Sequence, residues 1–270
     1  MTTKKKLGTV CFYVIAILLA VIAMIPFLWM ISTSFKSRGA LMSIPIQWIP
    51  EEPTLAAYIK VFSKFPFAKT IGNSLFISVS YTIITLLSSS MAAFAFAKLQ
   101  FPGNSLLLRC YLATMMIPTQ VTMIPLFVVM NRMGLIDSYA SVILPSVFRP
   151  FAVFMLVQQM RTIPNDFLDA ARIDGANVFQ VFRKVALPLC VPSLATLSIT
   201  TFMESWNDYL WPLMMLRTES KFTIPVNLQS FTNYFYKMTQ YYAPALAGYV
   251  IVSVPILVLF GFTSKQFIAG

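Results

Sequence analysis

The polar residues of this chain gather in two places where residue type and spacing suggest chemistry. The first is LDAARIDGANVFQVFRKVALP, residues 168–188, where Asp169, Arg172 and Asp174 crowd around Gly175, with Arg183 and Lys184 beyond. The second is ESWNDYLWPLMML, residues 204–216, where Glu204 and Asp208 stand four apart with Trp206 and Asn207 between them. In a helix that spacing puts both carboxylates on one face. Carboxylates and amides hydrogen-bond to hydroxyls, and aromatic faces stack on sugar rings, so this stretch is a candidate solute path. The plainer reading is structural: Glu204 or Asp208 pairs with Arg149 or with backbone groups, and Trp211 is an interfacial anchor. Catalysis has little to work with. The chain has no histidine, which removes a Ser-His-Asp triad, a Cys-His pair and any His-ligated metal. Cys11, Cys110 and Cys190 are widely spaced in or beside apolar stretches, so neither a disulfide framework nor a zinc site is expected. No G-x-x-x-x-G-K-[ST] phosphate loop occurs, so ATP hydrolysis is not expected of this chain.

The elements that position these residues are apolar. The chain is 58% hydrophobic and 11% charged, well below the charge of a soluble domain. A net charge of +11 without long basic runs points to cytoplasmic Lys and Arg of a membrane protein rather than to nucleic-acid binding. A bilayer core needs roughly 20 apolar residues in helix. By that rule about six spans are expected, at residues 10–31, 71–97, 106–130, 140–160, 191–216 and 243–262. The first is too long for a signal-peptide core and is read as an uncleaved membrane helix. Lys and Arg divide almost evenly between the two sides, but Lys4, Lys5 and Lys6 hard against the first span place the N-terminus inside. An even number of spans then puts the C-terminus, and residues 161–190, in the cytoplasm. The loops at 32–70 and 217–242 fall outside; in the first, PTLAAYIKVF reads as a short interfacial helix capped by Thr54. Residues 73–74 and 88–90, Asn-Ser and Ser-Ser-Ser, read as packing positions, as do Met115, Met116, Met123 and Met130.

The cytoplasmic stretch reads as a helical hairpin. Asp166 caps a first helix with Asp169 three residues on, in a capping-box-like position. Phe167, Leu168, Ala171 and Gly175 form one face of it. Gly175 after Asp174 is the stop, where glycine most easily adopts a left-handed conformation. In a second helix Val178, Phe179, Val181, Phe182 and Val185 are the apolar side, Arg183 and Lys184 are exposed, and Pro188 ends it. Joined at both ends to spans, the hairpin reads either as a lever or as an ordinary interfacial loop helix lying on lipid headgroups.

DAARIDGANVFQVFRKVALPLCVP resembles the EAA loop of ABC-importer permeases. Ala170, Ala171, Asp174, Gly175, Ala176, Leu187, Pro188 and Pro192 match that pattern, and Asp169 stands where the family usually has Glu. ESWNDYLWPLMML, together with GNSLFISV and IPNDFLDAA, is similar to the carbohydrate-type permeases, most of all the maltose-type second permease subunit. The resemblance covers nearly the whole chain. It implies an all-α integral membrane protein of the type I ABC importer fold, a single permease domain over residues 1–270, in the bacterial plasma (inner) membrane. It implies a second permease subunit, an ATPase dimer that holds ATP and Mg, and an extracytoplasmic sugar-binding protein, with no cofactor on this chain. Asp169, Ala170, Ala171, Asp174, Gly175, Ala176, Leu187 and Pro188 would then contact the ATPase, and the loop at 217–242 would touch the binding protein. A secondary transporter has no need of the polar hairpin and commonly shows inverted repeats, which are not visible here. An ABC permease for a non-sugar solute is the nearer alternative.

Overall fold

Proline placement decides which apolar stretches become straight helices. The computed structural model describes residues 3–37, 40, 47–64, 66–147, 149–229 and 242–269, and every regular element among them is a helix. The loops read at 32–70 and 217–242 are therefore described only in part; residues 230–241 lie outside the described residues. The helices are α1 (Thr3–Ser34), α2 (Ala56–Lys64), α3 (Phe67–Lys98), α4 (Asn104–Ala113), α5 (Thr119–Arg132), α6 (Tyr139–Ile143), α7 (Pro150–Thr162), α8 (Asn165–Ile173), α9 (Val178–Val181), α10 (Leu187–Leu189), α11 (Val191–Asn207), α12 (Leu210–Met215), α13 (residues 224–229) and α14 (Tyr242–Ala269).

Among the described residues, only α1 and α3 are by themselves long and apolar enough to cross a membrane, and up to four helices are if each bent pair counts as one span. The third expected span breaks at Ile117–Pro118, where α4 and its 3₁₀ extension meet α5 at 104°. Ile117 is extended (φ −85°, ψ 118°), as a residue before proline tends to be. The fourth, residues 140–160, divides into α6, a 3₁₀ turn at Leu144–Ser146 and α7, with Pro145 and Pro150 at the joints. The fifth breaks at Asp208 (ψ 123°) between α11 and α12. Hydropathy alone does not see these breaks, because proline and a single acid barely change a window average.

The described chain packs as two compact units, Met1–Phe67 with Leu228–Val254, and Ala68–Asn227 with Pro255–Gly270. In the first, α1 exposes its apolar side chains along most of its length, as a lipid-facing helix does. Near its end Ser34 Oγ lies 2.8 Å from Tyr58 Oη on α2, and Trp29 meets Trp48 edge-on at 5.1 Å. Thr54 caps α2 by accepting from the Ala56 N–H (3.2 Å).

The second unit has two apolar cores. One gathers the end of α3 (Ala93, Phe94), most of α7 (Ala152, Leu156, Met160), the base of α11 (Cys190, Leu197) and the hairpin. The other joins Ile77, Met130, Val142, Trp211 and Met215. Along α3, Ser78, Thr82, Thr85, Ser89 and Ser90 are buried, the small polar seam of close helix packing. Asn73 donates to the Ser220 and Phe222 carbonyls (3.0 Å each) and accepts from Tyr139 Oη (2.8 Å), and Ser74 accepts from the Ile224 N–H (2.7 Å). Residues 73–74 therefore stitch α3 to the segment after α12.

Candidate functional site: a helical hairpin and a polar cavity

The hairpin begins at α8, but not as a capping box on Asp166. Pro164 occupies the cap position with no side-chain bond, and α8 starts two residues earlier than that box requires. Asp169 instead pairs with Arg172 along the helix (2.9 Å). Leu168 is buried in the shared core with Ala171 and Ala176 against it, whereas Phe167 turns outward, 58% exposed. The helix stops in a Schellman motif: the Ala176 N–H bonds the Ala171 carbonyl and the Gly175 N–H bonds the Arg172 carbonyl, both at 3.0 Å. Gly175 carries φ +84°, the left-handed conformation expected of it.

The capping box of this hairpin lies on its second helix. The Asn177 side chain accepts from the Gln180 N–H (2.9 Å) and the Gln180 side chain accepts from the Asn177 N–H (2.8 Å). The signal was present as N-x-x-Q. The helix then widens into a π turn over Phe182–Ala186 and does not end at Pro188. Pro188 has no N–H for the carbonyl four residues back and its ring crowds that carbonyl, so a wider turn relieves the contact. The break comes at Cys190 (φ −97°, ψ 3°), where the chain bends by 78° into α11. Val181, Phe182 and Ala186 face the core; Val178 and Phe179 do not, being 52% and 59% exposed. The outer surface thus carries Phe167, Ile173, Val178 and Phe179 beside Asp169, Asp174, Arg183 and Lys184. Lys98, at the end of α3, braces the start of α8 by donating to the Ile163 carbonyl (2.6 Å) and Asn165 Oδ1 (2.9 Å).

At the other ends of α7 and α11 lies a cavity of about 530 Å³. Pro150 opens α7 at its first turn, and Arg149 before it is extended (φ −97°, ψ 110°), which swings the guanidinium toward α3 and α11. It donates to the Tyr81 hydroxyl and to both carboxylate oxygens of Glu204. Asp208 lines the same cavity and its Oδ1 accepts from the Trp211 N–H (3.4 Å), bridging α11 to α12. Thr114, Thr119 and Thr122 add hydroxyls to the lining. Trp206 and Asn207 lie outside it. Trp206 is 1% exposed and stacks on Phe202, with centroids 5.5 Å apart, and Asn207 turns back to the Met203 carbonyl (2.8 Å). Trp211 is no surface anchor: it is buried and donates to the Ser141 carbonyl (3.0 Å). Arg149 was visible in the sequence as a charge inside a span, but nothing marked Tyr81.

A family described as "Binding-protein-dependent transport system inner membrane component" matches residues 84–265. The chain belongs to that family. The matched region holds the hairpin, Arg149, Glu204 and Asp208 together. Among curated relatives of this permease, an arabinooligosaccharides transport system permease protein of Halalkalibacterium halodurans is 37% identical over 276 residues, covering 99% of this chain and 97% of the relative. A trehalose transport system permease protein of Mycobacterium tuberculosis is 34% identical over 253 residues, covering 92% and 90%. A bacterial ABC transporter involved in the import of the acidic polysaccharide alginate shares the fold, with a TM-score of 0.85, 24% identity and 99% coverage of both chains. The protein is thus an all-α inner-membrane permease with the fold of an ABC importer subunit.

Proposed function

We propose that this permease is one of two membrane subunits of an ATP-driven importer that takes a neutral sugar or oligosaccharide from an extracytoplasmic binding protein. ATP and Mg belong to a separate ATPase dimer, consistent with the missing phosphate loop. The whole of residues 1–270 serves as the permease domain, with both termini and residues 161–190 in the cytoplasm. The observation that carries the reading is the hairpin: it is rooted in a core shared with α3, α7 and α11, yet presents four exposed large apolar side chains among charges. An apolar patch rimmed by charge suits a protein contact better than water. Asp169, Ala170, Ala171, Asp174, Gly175 and Ala176 would meet the ATPase directly; Leu187 and Pro188 would set the angle at which its motion reaches α11. The sugar class is supported by the arabinooligosaccharides and trehalose for which the two relatives are named, and by the cavity, whose volume falls in the range of small-molecule sites. Glu204 and Asp208 would line the path, while Trp206 and Asn207 would hold α11 in place. The test is Asp169→Lys in the reconstituted complex. The expected result is lost transport and lost solute-stimulated ATPase with the protein still in the membrane. Undiminished stimulation sinks the proposal.

A further inference from the structure

A second cavity, of about 560 Å³, lies in the first unit beyond the end of α1. Its lining includes Lys36, Ser37, Glu52, Thr54 and Lys60, with Pro53, Ala56, Ala57 and Pro244 as apolar wall. Lys36 is only 4% exposed, yet no carboxylate among the described residues pairs with its ammonium. Of the chain's nine Asp and Glu side chains, none, Glu52 included, comes within 4.0 Å of it. What it meets is the Trp29 ring, with Nζ 3.9 Å from the centroid. A cation–π contact offsets only part of the cost of burying an ammonium, and an unpaired buried charge calls for a partner. Burial lowers the Lys36 pKa.

We propose that this cavity holds the phosphate of an anionic phospholipid from the outer leaflet, with Lys36 as the principal contact and Lys60 and Ser37 at the mouth. The surroundings favour a lipid. The outward face of α1 is apolar and exposed up to Ile31, one turn before the cavity. Trp29 and Trp48 sit at that level as an interfacial aromatic pair. On α2, Ile59 and Phe62 are exposed, as is Leu55 just before it, which suits a helix lying at the headgroup boundary. The proline and alanine wall fits the glycerol and first methylenes below a phosphate. The site does not depend on which solute is carried.

The probe is phosphatidylglycerol against phosphatidylcholine, counted on the purified permease complex by native mass spectrometry after delipidation. The expected result is selective retention of phosphatidylglycerol, weakened about tenfold by Lys36→Gln and kept by Lys36→Arg. If Lys36→Gln fails to assemble, Lys60→Gln and the wild-type comparison of the two lipids still decide. Equal retention of both lipids by the wild type overturns the proposal, as does retention that ignores Lys36. If inorganic phosphate alone stabilises the delipidated complex and phosphatidylglycerol does not, the site takes a free anion and the lipid assignment falls. If neither binds and Lys36→Gln instead weakens capture of the binding protein, the occupant is an acidic side chain of that partner and the lipid assignment again falls.

Discussion

Replacing Gly175 tests whether the hairpin works as a rigid lever. Its φ of +84° lies where side-chain-bearing residues are strained, and a Cβ added there meets no heavy atom within 4 Å. The cost of Gly175→Ala is therefore backbone strain alone, about 1–2 kcal/mol. Through the Boltzmann factor that is roughly a 5- to 30-fold bias against the native bend. Gly175→Pro is worse, because proline fixes φ near −65° and removes the N–H that bonds the Arg172 carbonyl at 3.0 Å. A cost of about 3 kcal/mol or more is expected. Asparagine tolerates the left-handed region best among side-chain-bearing residues, so Gly175→Asn is the control that adds bulk without much strain. In proteoliposomes with the partner subunits, solute-stimulated ATPase should rank Gly, then Asn, then Ala, with Pro at the unstimulated rate. Ala should fall by up to about 30-fold. Membrane insertion, followed by protease protection, should be unchanged throughout. Full stimulation in the Pro variant would refute the lever. An Asn variant as poor as Pro would show that bulk at the partner contact, and not the bend, is what matters.

Other expectations follow from the same geometry. Leu168→Ala empties a buried position in the shared core and should cost about 2–5 kcal/mol, lowering the melting temperature, whereas Phe167→Ala should leave the melting temperature alone and lower only ATPase coupling. Arg149→Gln and Glu204→Gln should each depress transport in vesicles; with both partners part-exposed, a double-mutant cycle should give a coupling near 1 kcal/mol, and simple additivity would dissolve the pair as a unit. Asp137 accepts from the Thr218 hydroxyl (2.6 Å), the Lys221 ammonium (2.9 Å) and the Arg217 and Thr218 N–H groups (3.0 Å each). The Thr218 bond first, then Lys221, hold its carboxyl well below the usual range. A depressed carboxylate stabilises fully above its unfolded pKa of about 4 and loses that contribution as pH falls toward its folded value. Trypsin should therefore spare Arg217 and Lys221 at neutral pH in the wild type and cut there in Asp137→Asn.

The class of protein was legible because lipid solvation imposes long apolar stretches, and because the Gly175 hairpin needs a particular set of residues in a particular order. The turn at Gly175, the Thr54 cap of α2 and the packing role of Asn73 could all be read from local chemistry. The breaks could not. Pro118, Pro150 and Asp208 look like minor interruptions in a hydropathy average, yet the chain changes direction or helix at each. Trp206 shows the converse. Beside Asn207 and Asp208 it looks like a stacking platform, but helical periodicity turns it onto Phe202. Which face of α11 meets the cavity depends on where α7 lies, and that is a tertiary fact. Asp137, with φ +61°, was invisible for the same reason: its partners are some eighty residues away.

The two sites stand at opposite ends of the same two helices. Roughly 20 Å of α7 and 25 Å of α11 separate the hairpin core from Arg149 and Glu204, at 1.5 Å per residue. In the inner core α7 meets Leu168 and Phe182; at the far end its first turn follows Arg149 and reaches Glu204 of α11. A push on the hairpin that rotates α11 against α7 must either carry the ion pair along or pull it apart. The π turn and the bend at Cys190 are where such a rotation would be absorbed. The proposed coupling therefore predicts more than lost activity when the hairpin is damaged. In the intact complex, ATP binding should change the reactivity of a cysteine placed at Glu204 or Asp208, and Gly175→Pro should abolish that change while leaving basal reactivity as it was. If the change survives Gly175→Pro, the work reaches the cavity by another route, and the hairpin is a docking site without being the lever.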